Sequence, residues 1–221
     1  MDIKSHQRVN QTLFTPVEKR LLQILVARMP TWVTPDILTG VGVFGAIVIF
    51  SSYCLTNLDP NFIWLANLGF ALNWFGDSLD GSLARYRHIE RPKYGFFLDH
   101  VVDAFNEFII VMGLGLSPYV TFAIACLGLI GYLLLSVLVY VRTAVAGVFQ
   151  ISYGQLGPTE VRIIFILLNG AIYFIGVPEI VLPVGIFSVY DFIFGILATL
   201  LILMFIGYSC KYGMELAKID E

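Results

Sequence analysis

Apolar residues in this chain come in long blocks rather than alternating stripes, and that pattern restricts the fold more than any other feature. A block apolar on every side needs an apolar environment all round it, which a membrane supplies. Six blocks approach the roughly 20 residues that a helix needs to cross a bilayer. They run over Ile37–Thr56, Phe62–Asp80, Phe96–Leu116, Pro118–Val141, Val161–Val177 and Phe187–Ser209. Turn formers separate them, among them Asn57-Leu58-Asp59-Pro60, Leu116-Ser117-Pro118, Pro178 and Pro183. The chain is 58% hydrophobic and 13% charged, against about half and about a quarter in soluble domains. An all-α, polytopic membrane fold with six transmembrane helices is the expectation.

Charge then orients the spans. All 13 Lys and Arg residues fall on one side of this arrangement. Lys4, Arg8, Lys19, Arg20 and Arg28 precede the first span, and Arg85, Arg87, Arg91 and Lys93 lie between the second and third. Arg142 and Arg162 edge the fourth-to-fifth link, and Lys211 and Lys218 follow the sixth span. The positive-inside rule makes that side cytoplasmic, with both termini, and places the protein as a multi-pass component of the cytoplasmic membrane. Residues 1–12 are polar and the next apolar stretch is broken by Glu18, Lys19, Arg20, Gln23 and Arg28, so no secretory signal is expected here.

Between Pro16 and Met29, Val17, Leu21, Leu22, Leu25, Val26 and Met29 recur at helical spacing, with charged residues mostly off that stripe. This predicts an amphipathic helix, either lying on the membrane surface or packed on the end of the bundle. The whole chain reads as one membrane domain. It has a cytoplasmic segment over 1–35, a six-helix bundle over 36–210 and a cytoplasmic tail over 211–221. Cys54, Cys126 and Cys210 are scattered through apolar blocks and suggest neither disulfides nor metal spacing. A net charge of −3 without a basic tract gives no footing for nucleic acid.

The chemistry lies in acids that lipid should exclude. Asp77 and Asp80 close the second span, and Asp99 and Asp103 open the third. Spacings of three and four put each pair on one helix face. The link between the helices is short, so four carboxylates are expected to converge at the membrane edge. Such a group repels itself unless a positive charge sits within it. The nearest Lys and Arg residues lie in the link. Mg²⁺ or Mn²⁺, which prefer oxygen ligands, suit the site better, and two ions would clamp a diphosphate. Gly81, Ala84 and Gly95 would let a ligand or helix come close to the backbone. A polar network that merely holds helices together, or a cation path, remains the alternative reading.

These residues resemble the signature of the CDP-alcohol phosphotransferases, D-x-x-D-G-x-x-A-R followed by G-x-x-x-D-x-x-x-D. It reads here as Asp77, Asp80, Gly81, Ala84 and Arg85, then Gly95, Asp99 and Asp103. The spacer Tyr86–Tyr94 is one residue longer than usual. Thr34-Pro35-Asp36-Ile37-Leu38-Thr39 is similar to the family's P-N-x-x-T segment, with Asp36 where Asn is usual. The resemblance implies six spans, with Asp77, Asp80, Asp99 and Asp103 as metal ligands and Asp103 also as the base that deprotonates the acceptor hydroxyl. It implies Gly81, Ala84 and Arg85 as the lining of the cytidine diphosphate site, with Gly95 and Thr39 also counted as substrate-binding. It further implies a homodimer and two partners, a CDP-linked donor and an alcohol acceptor, one of them a lipid.

Flanking residues carry two readings each. Asn73 could bind the diphosphate or ribose, or hydrogen-bond Asp77. Glu107 could hold a polar headgroup or make a helix contact. His100 reads as structural. Thr159 and Glu160 could touch the acceptor or simply start a helix, and Arg142 and Arg162 could hold an acceptor phosphate or anchor the cytoplasmic side. The expected reaction is transfer of a phosphatidyl group from CDP-diacylglycerol to an alcohol, with release of CMP. The reverse assignment, a CDP-headgroup donor and a lipid alcohol, is suggested by Asp99-His100. A transporter reading is less natural, because its acids belong near the midplane beside a broken helix.

Overall fold

The computed structural model describes residues 15–146, 157–183 and 185–220. Seven helices follow in order: α1 (Thr15–Ala27), α2 (Pro35–Leu55), α3 (Phe62–Tyr86), α4 (Pro92–Gly115), α5 (Phe122–Ala146), α6 (Pro158–Ile175) and α7 (Val189–Asp220). Helices α2, α5, α6 and α7 are long and apolar enough to cross a membrane. The chain is therefore a helical integral membrane protein. Helices α3 and α4 coincide with the second and third expected spans but carry the acidic residues, which lowers their hydropathy.

The helix starts follow local chemistry. The Thr34 hydroxyl accepts the Ile37 N–H at 3.2 Å, and Pro35 occupies the first turn of α2. Pro92 and Pro158 begin α4 and α6 in the same way. At α7, Asp191 accepts the Ser188 N–H at 2.8 Å while the Ser188 hydroxyl accepts the Asp191 N–H at 2.9 Å, a reciprocal cap.

One element departs from the all-α expectation. β1 (Glu179–Leu182) and β2 (Gly185–Ser188) form an antiparallel hairpin, with Leu182 opposite Gly185. Ile180, Val181, Ile186 and Phe187 favour extended backbone. Gly185 at φ 148° adopts a backbone that other residues avoid. The last helix consequently starts after Phe187, and it continues to Asp220, so the expected tail 211–221 is helical through residue 220.

Glycine sets how the bundle core closes. A Cβ at Gly76 would stand 2.2 Å from the Gly42 nitrogen and 2.4 Å from the Leu38 carbonyl oxygen, and one at Gly45 would stand 2.5 Å from the Asn73 nitrogen. Helices α2 and α3 thus touch backbone to backbone, a contact only small residues permit. Helix α4 packs on α2 and α5, α5 packs on α7, and α6 packs on α3. Ile49, Tyr53, Ile63, Phe70 and Leu114 are among the buried residues of the main core.

Helix α1 lies in the segment ahead of the first span and packs on α3. Val26 joins Leu38, Leu79 and Leu83 in a second core, with Leu22, Leu25 and Met29 against it. Val17, Leu21 and Ile24 stay exposed. The turn after α1 is tied down by Arg87, whose guanidinium donates to the carbonyls of Met29 at 3.1 Å, Pro30 at 2.7 Å and Val33 at 2.5 Å.

Candidate metal centre

The close α2–α3 contact and the α4–α2 packing bring the end of α3 and the start of α4 together. Asp77, Asp99 and Asp103 each present a carboxylate oxygen, and these oxygens lie within 4.8 Å of one another. All three side chains are partly buried. The donor set is wholly hard oxygen at a separation that suits one divalent cation, so the cluster could hold a metal ion.

Asp80 stands apart from that trio. Its Oδ2 accepts the Thr39 hydroxyl at 2.7 Å, and its Oδ1 accepts the N–H of Gly81. Thr39 also donates to the Pro35 carbonyl at 3.2 Å. The expected quartet is therefore a trio plus one acid pinned to α2. Asp80 still lies within electrostatic reach of Asp77 and Asp99.

A cation does reach the cluster, contrary to the expectation that the nearest ones sit in the α3–α4 link. Arg162 on α6 donates through Nη2 to Asp77 Oδ2 at 2.7 Å and through Nε to Asn73 Oδ1 at 2.8 Å. Its side chain is only 13% exposed, and its Nη1 is buried with no hydrogen-bond partner among the described residues. Asn73 is committed on its other side, donating to the Gly42 carbonyl at 2.9 Å. It bonds neither Asp77 nor open solvent. Glu107, one turn beyond Asp103, lies within electrostatic reach of Arg162 and Asp103.

Gly81 lies beside the Arg85 guanidinium, 3.3 Å from the position of an added Cβ. Arg85 is exposed, and its Nη2 donates to the Ser82 hydroxyl at 3.2 Å. Ala84 is partly buried, and Gly95 is exposed with open space where a side chain would stand. Asp36 pairs with Arg91, which also lies 4.2 Å over the Tyr94 ring. His100 sits with Nδ1 3.8 Å from Asp99 Oδ2 and 2.6 Å from the Phe96 carbonyl oxygen.

The remaining candidates separate. Arg142 donates to the Tyr212 hydroxyl at 2.8 Å and stacks 3.8 Å over its ring, tying α5 to α7. Glu160 is buried and accepts the Gly157 N–H at 2.9 Å, an N-terminal helix cap. Thr159 donates to Glu18 of α1 at 2.6 Å. Neither Glu18 nor Arg87 stands out in the sequence, because each acts on partners more than 50 residues away.

The clustered aspartates thus sit on two adjoining helices of a helical membrane protein. Residues 32–204 match the family model for CDP-alcohol phosphatidyltransferase. The chain belongs to that family, whose members are transferases of substituted phosphate groups. It is 27% identical over 182 residues to a cholinephosphotransferase 1 from Danio rerio, covering 78% of this chain and 46% of the fish protein. It is 35% identical over 86 residues to a phosphatidylinositol phosphate synthase from Cutibacterium acnes, covering 38% of each. The matches thus span less than half the length of either relative.

Proposed function

We propose that this chain makes a phospholipid by moving a substituted phosphate group from a CDP-linked donor to an alcohol, releasing CMP. One observation carries this reading: three carboxylate oxygens within 4.8 Å, built from the helices that bear the signature residues. Asp77, Asp99 and Asp103 would hold Mg²⁺ or Mn²⁺, and Asp80 would complete a two-ion site. Bound metal would neutralise the diphosphate oxygens as CMP leaves. Asp103 would take the proton of the acceptor hydroxyl, whose oxygen attacks the donor's outer phosphorus while the bond to the CMP oxygen breaks. Gly81, Ala84, Arg85 and Gly95 would line the nucleotide path, and Glu107 would face the acceptor.

The same proposal gives six spans, with both termini and the site on the cytoplasmic side. At 1.5 Å per residue, α3 and α4 reach about 36 Å, beyond the roughly 30 Å hydrocarbon core. Their charges sit at the one end that also carries the chain's cations. The exposed Val17, Leu21 and Ile24 would rest α1 on that membrane surface. Homodimerisation rests on the family resemblance alone.

CDP-diacylglycerol with a polar alcohol is the first donor–acceptor pair to test. Asp99-His100, and the long match to a cholinephosphotransferase, favour a second: a CDP-headgroup donor with a lipid alcohol. Purified protein in lipid vesicles, screened with CDP donors against alcohols by CMP release, separates them. Mg²⁺ or Mn²⁺ should be required. CMP release in excess chelator would remove the metal from the reaction, and no CMP with any donor would remove the reaction.

A further inference from the structure

Glu18 is held by three donors from two other helices, all on its Oε1. The Trp74 indole N–H donates at 3.0 Å, the Thr159 hydroxyl at 2.6 Å and the Ser78 hydroxyl at 3.4 Å. Trp74 and Ser78 stand four apart on α3 and flank Asp77. Thr159 and Arg162 stand three apart on α6, on one face. Two polar rungs therefore join the first turns of α6 to α3, ahead of the Phe165–Phe70 stack and the Asn169–Asn67 hydrogen bond. One is direct, from Arg162 to Asp77 and Asn73. The other runs from Thr159 through Glu18 to Trp74 and Ser78, one helical turn away. Glu18 also brings a carboxylate to the N-terminal turn of α6, where the helix dipole favours negative charge. It lies on α1, ahead of residue 32, where the family match begins.

We propose that Glu18 is a positioning residue, the second rung that fixes α6 against α3 and so delivers Arg162 to Asp77. Its consequence for turnover rests on the function proposed above, whereas the rung itself does not. Without it, Arg162 and the Phe165–Phe70 stack still hold α6 to α3, but the first turn of α6 loses its polar tie and loosens.

Hydrogen exchange of the α6 amides over 161–166, on metal-free protein in detergent, reads the rung directly. Glu18→Ala should speed exchange there by on the order of tenfold, whereas Glu18→Gln, which keeps an accepting oxygen, should stay within about twofold of wild type. Thr159→Val should loosen the same amides. It also serves where Glu18→Ala fails to fold. Wild-type exchange in Glu18→Ala or Thr159→Val overturns the proposal, as does Glu18→Gln behaving like Glu18→Ala. In the CMP-release assay, Glu18→Ala should lower kcat by on the order of tenfold with donor KM little changed, because misplacement by an ångström costs rate. A raised KM with unchanged kcat overturns the positioning role. Wild-type protein that releases no CMP would sink the proposed function, while the exchange comparison would still decide the rung.

Discussion

Arg162→Met removes the cation that hydrogen-bonds Asp77 of the acidic trio. The two side chains of the Arg162–Asp77 pair are 13% and 21% exposed, so the pair is largely withdrawn from water. Deleting one partner of such a pair costs about 3–5 kcal/mol, because the other charge stays buried without compensation. Loss of the bond to Asn73 also leaves an amide oxygen short of a donor. A proton taken up by the cluster caps the cost. For a chain of this length, about 2–4 °C of melting temperature goes with each kcal/mol, which gives a fall of roughly 10 °C. Thermal unfolding in detergent with chelator measures it. Arg162→Lys should fall between, since it keeps the charge but cannot reach Asp77 and Asn73 together. Added Mg²⁺ should recover more stability in the Arg162→Met protein than in wild type, because the ion supplies the missing positive charge. A variant melting within about 2 °C of wild type in chelator would refute the view that this pair holds the cluster together.

Asp103→Asn should lower turnover by about 10²-fold or more while CDP-donor binding persists, checked by CMP release beside equilibrium binding; near-normal turnover would remove Asp103 as the base. Gly76→Ala should cost at least the roughly 1–3 kcal/mol of overpacking, since its Cβ meets backbone at 2.2 Å. Gly40→Ala, with open space around it, should be neutral, and monodisperse yield in detergent compares the two. Thr39→Val should weaken Mg²⁺ half-saturation by about tenfold if Asp80 serves the metal from the orientation Thr39 gives it; tighter Mg²⁺ use would show that Thr39 instead holds Asp80 away.

Features written in local periodicity were legible in the sequence. The helix order, the short α3–α4 link and the shared face of Asp99 and Asp103 all follow from spacing along one or two helices. Pairings across the bundle were not. Arg162 meets Asp77 from 85 residues away, and nothing near Arg162 distinguishes it from a cytoplasmic-side anchor. Asp80 looks equivalent to Asp77 in the motif, yet Thr39 on α2 takes its carboxylate. A signal for that neighbour did exist. Gly42 and Gly45, with Gly69 and Gly76, mark a pair of helices able to touch at the backbone, and that contact sets Thr39 opposite Asp80. The hairpin was missed because its four-residue strands lie mostly in the link marked by Pro178 and Pro183 and are too short to show an alternating pattern.

The remaining electrostatics argue for where an ion belongs. At an effective dielectric near 20, two unit charges 4.8 Å apart repel by about 3–4 kcal/mol, so three ionised carboxylates at the trio's spacing carry on the order of 10 kcal/mol of repulsion. That equals the whole stability of many domains. Arg162 hydrogen-bonds Asp77 and lies within electrostatic reach of Asp103. Asp99 and Asp103 sit on one helix, four residues apart, which keeps their side chains on one face. A cation near both relieves their repulsion. A divalent ion would serve both at once and leave Asp103 ionised, as its proposed role as base requires. Mg²⁺ should accordingly raise the melting temperature of wild-type protein and do so far less in the Asp99→Asn/Asp103→Asn double variant. A double variant that gains as much as wild type would put the ion somewhere other than this cluster.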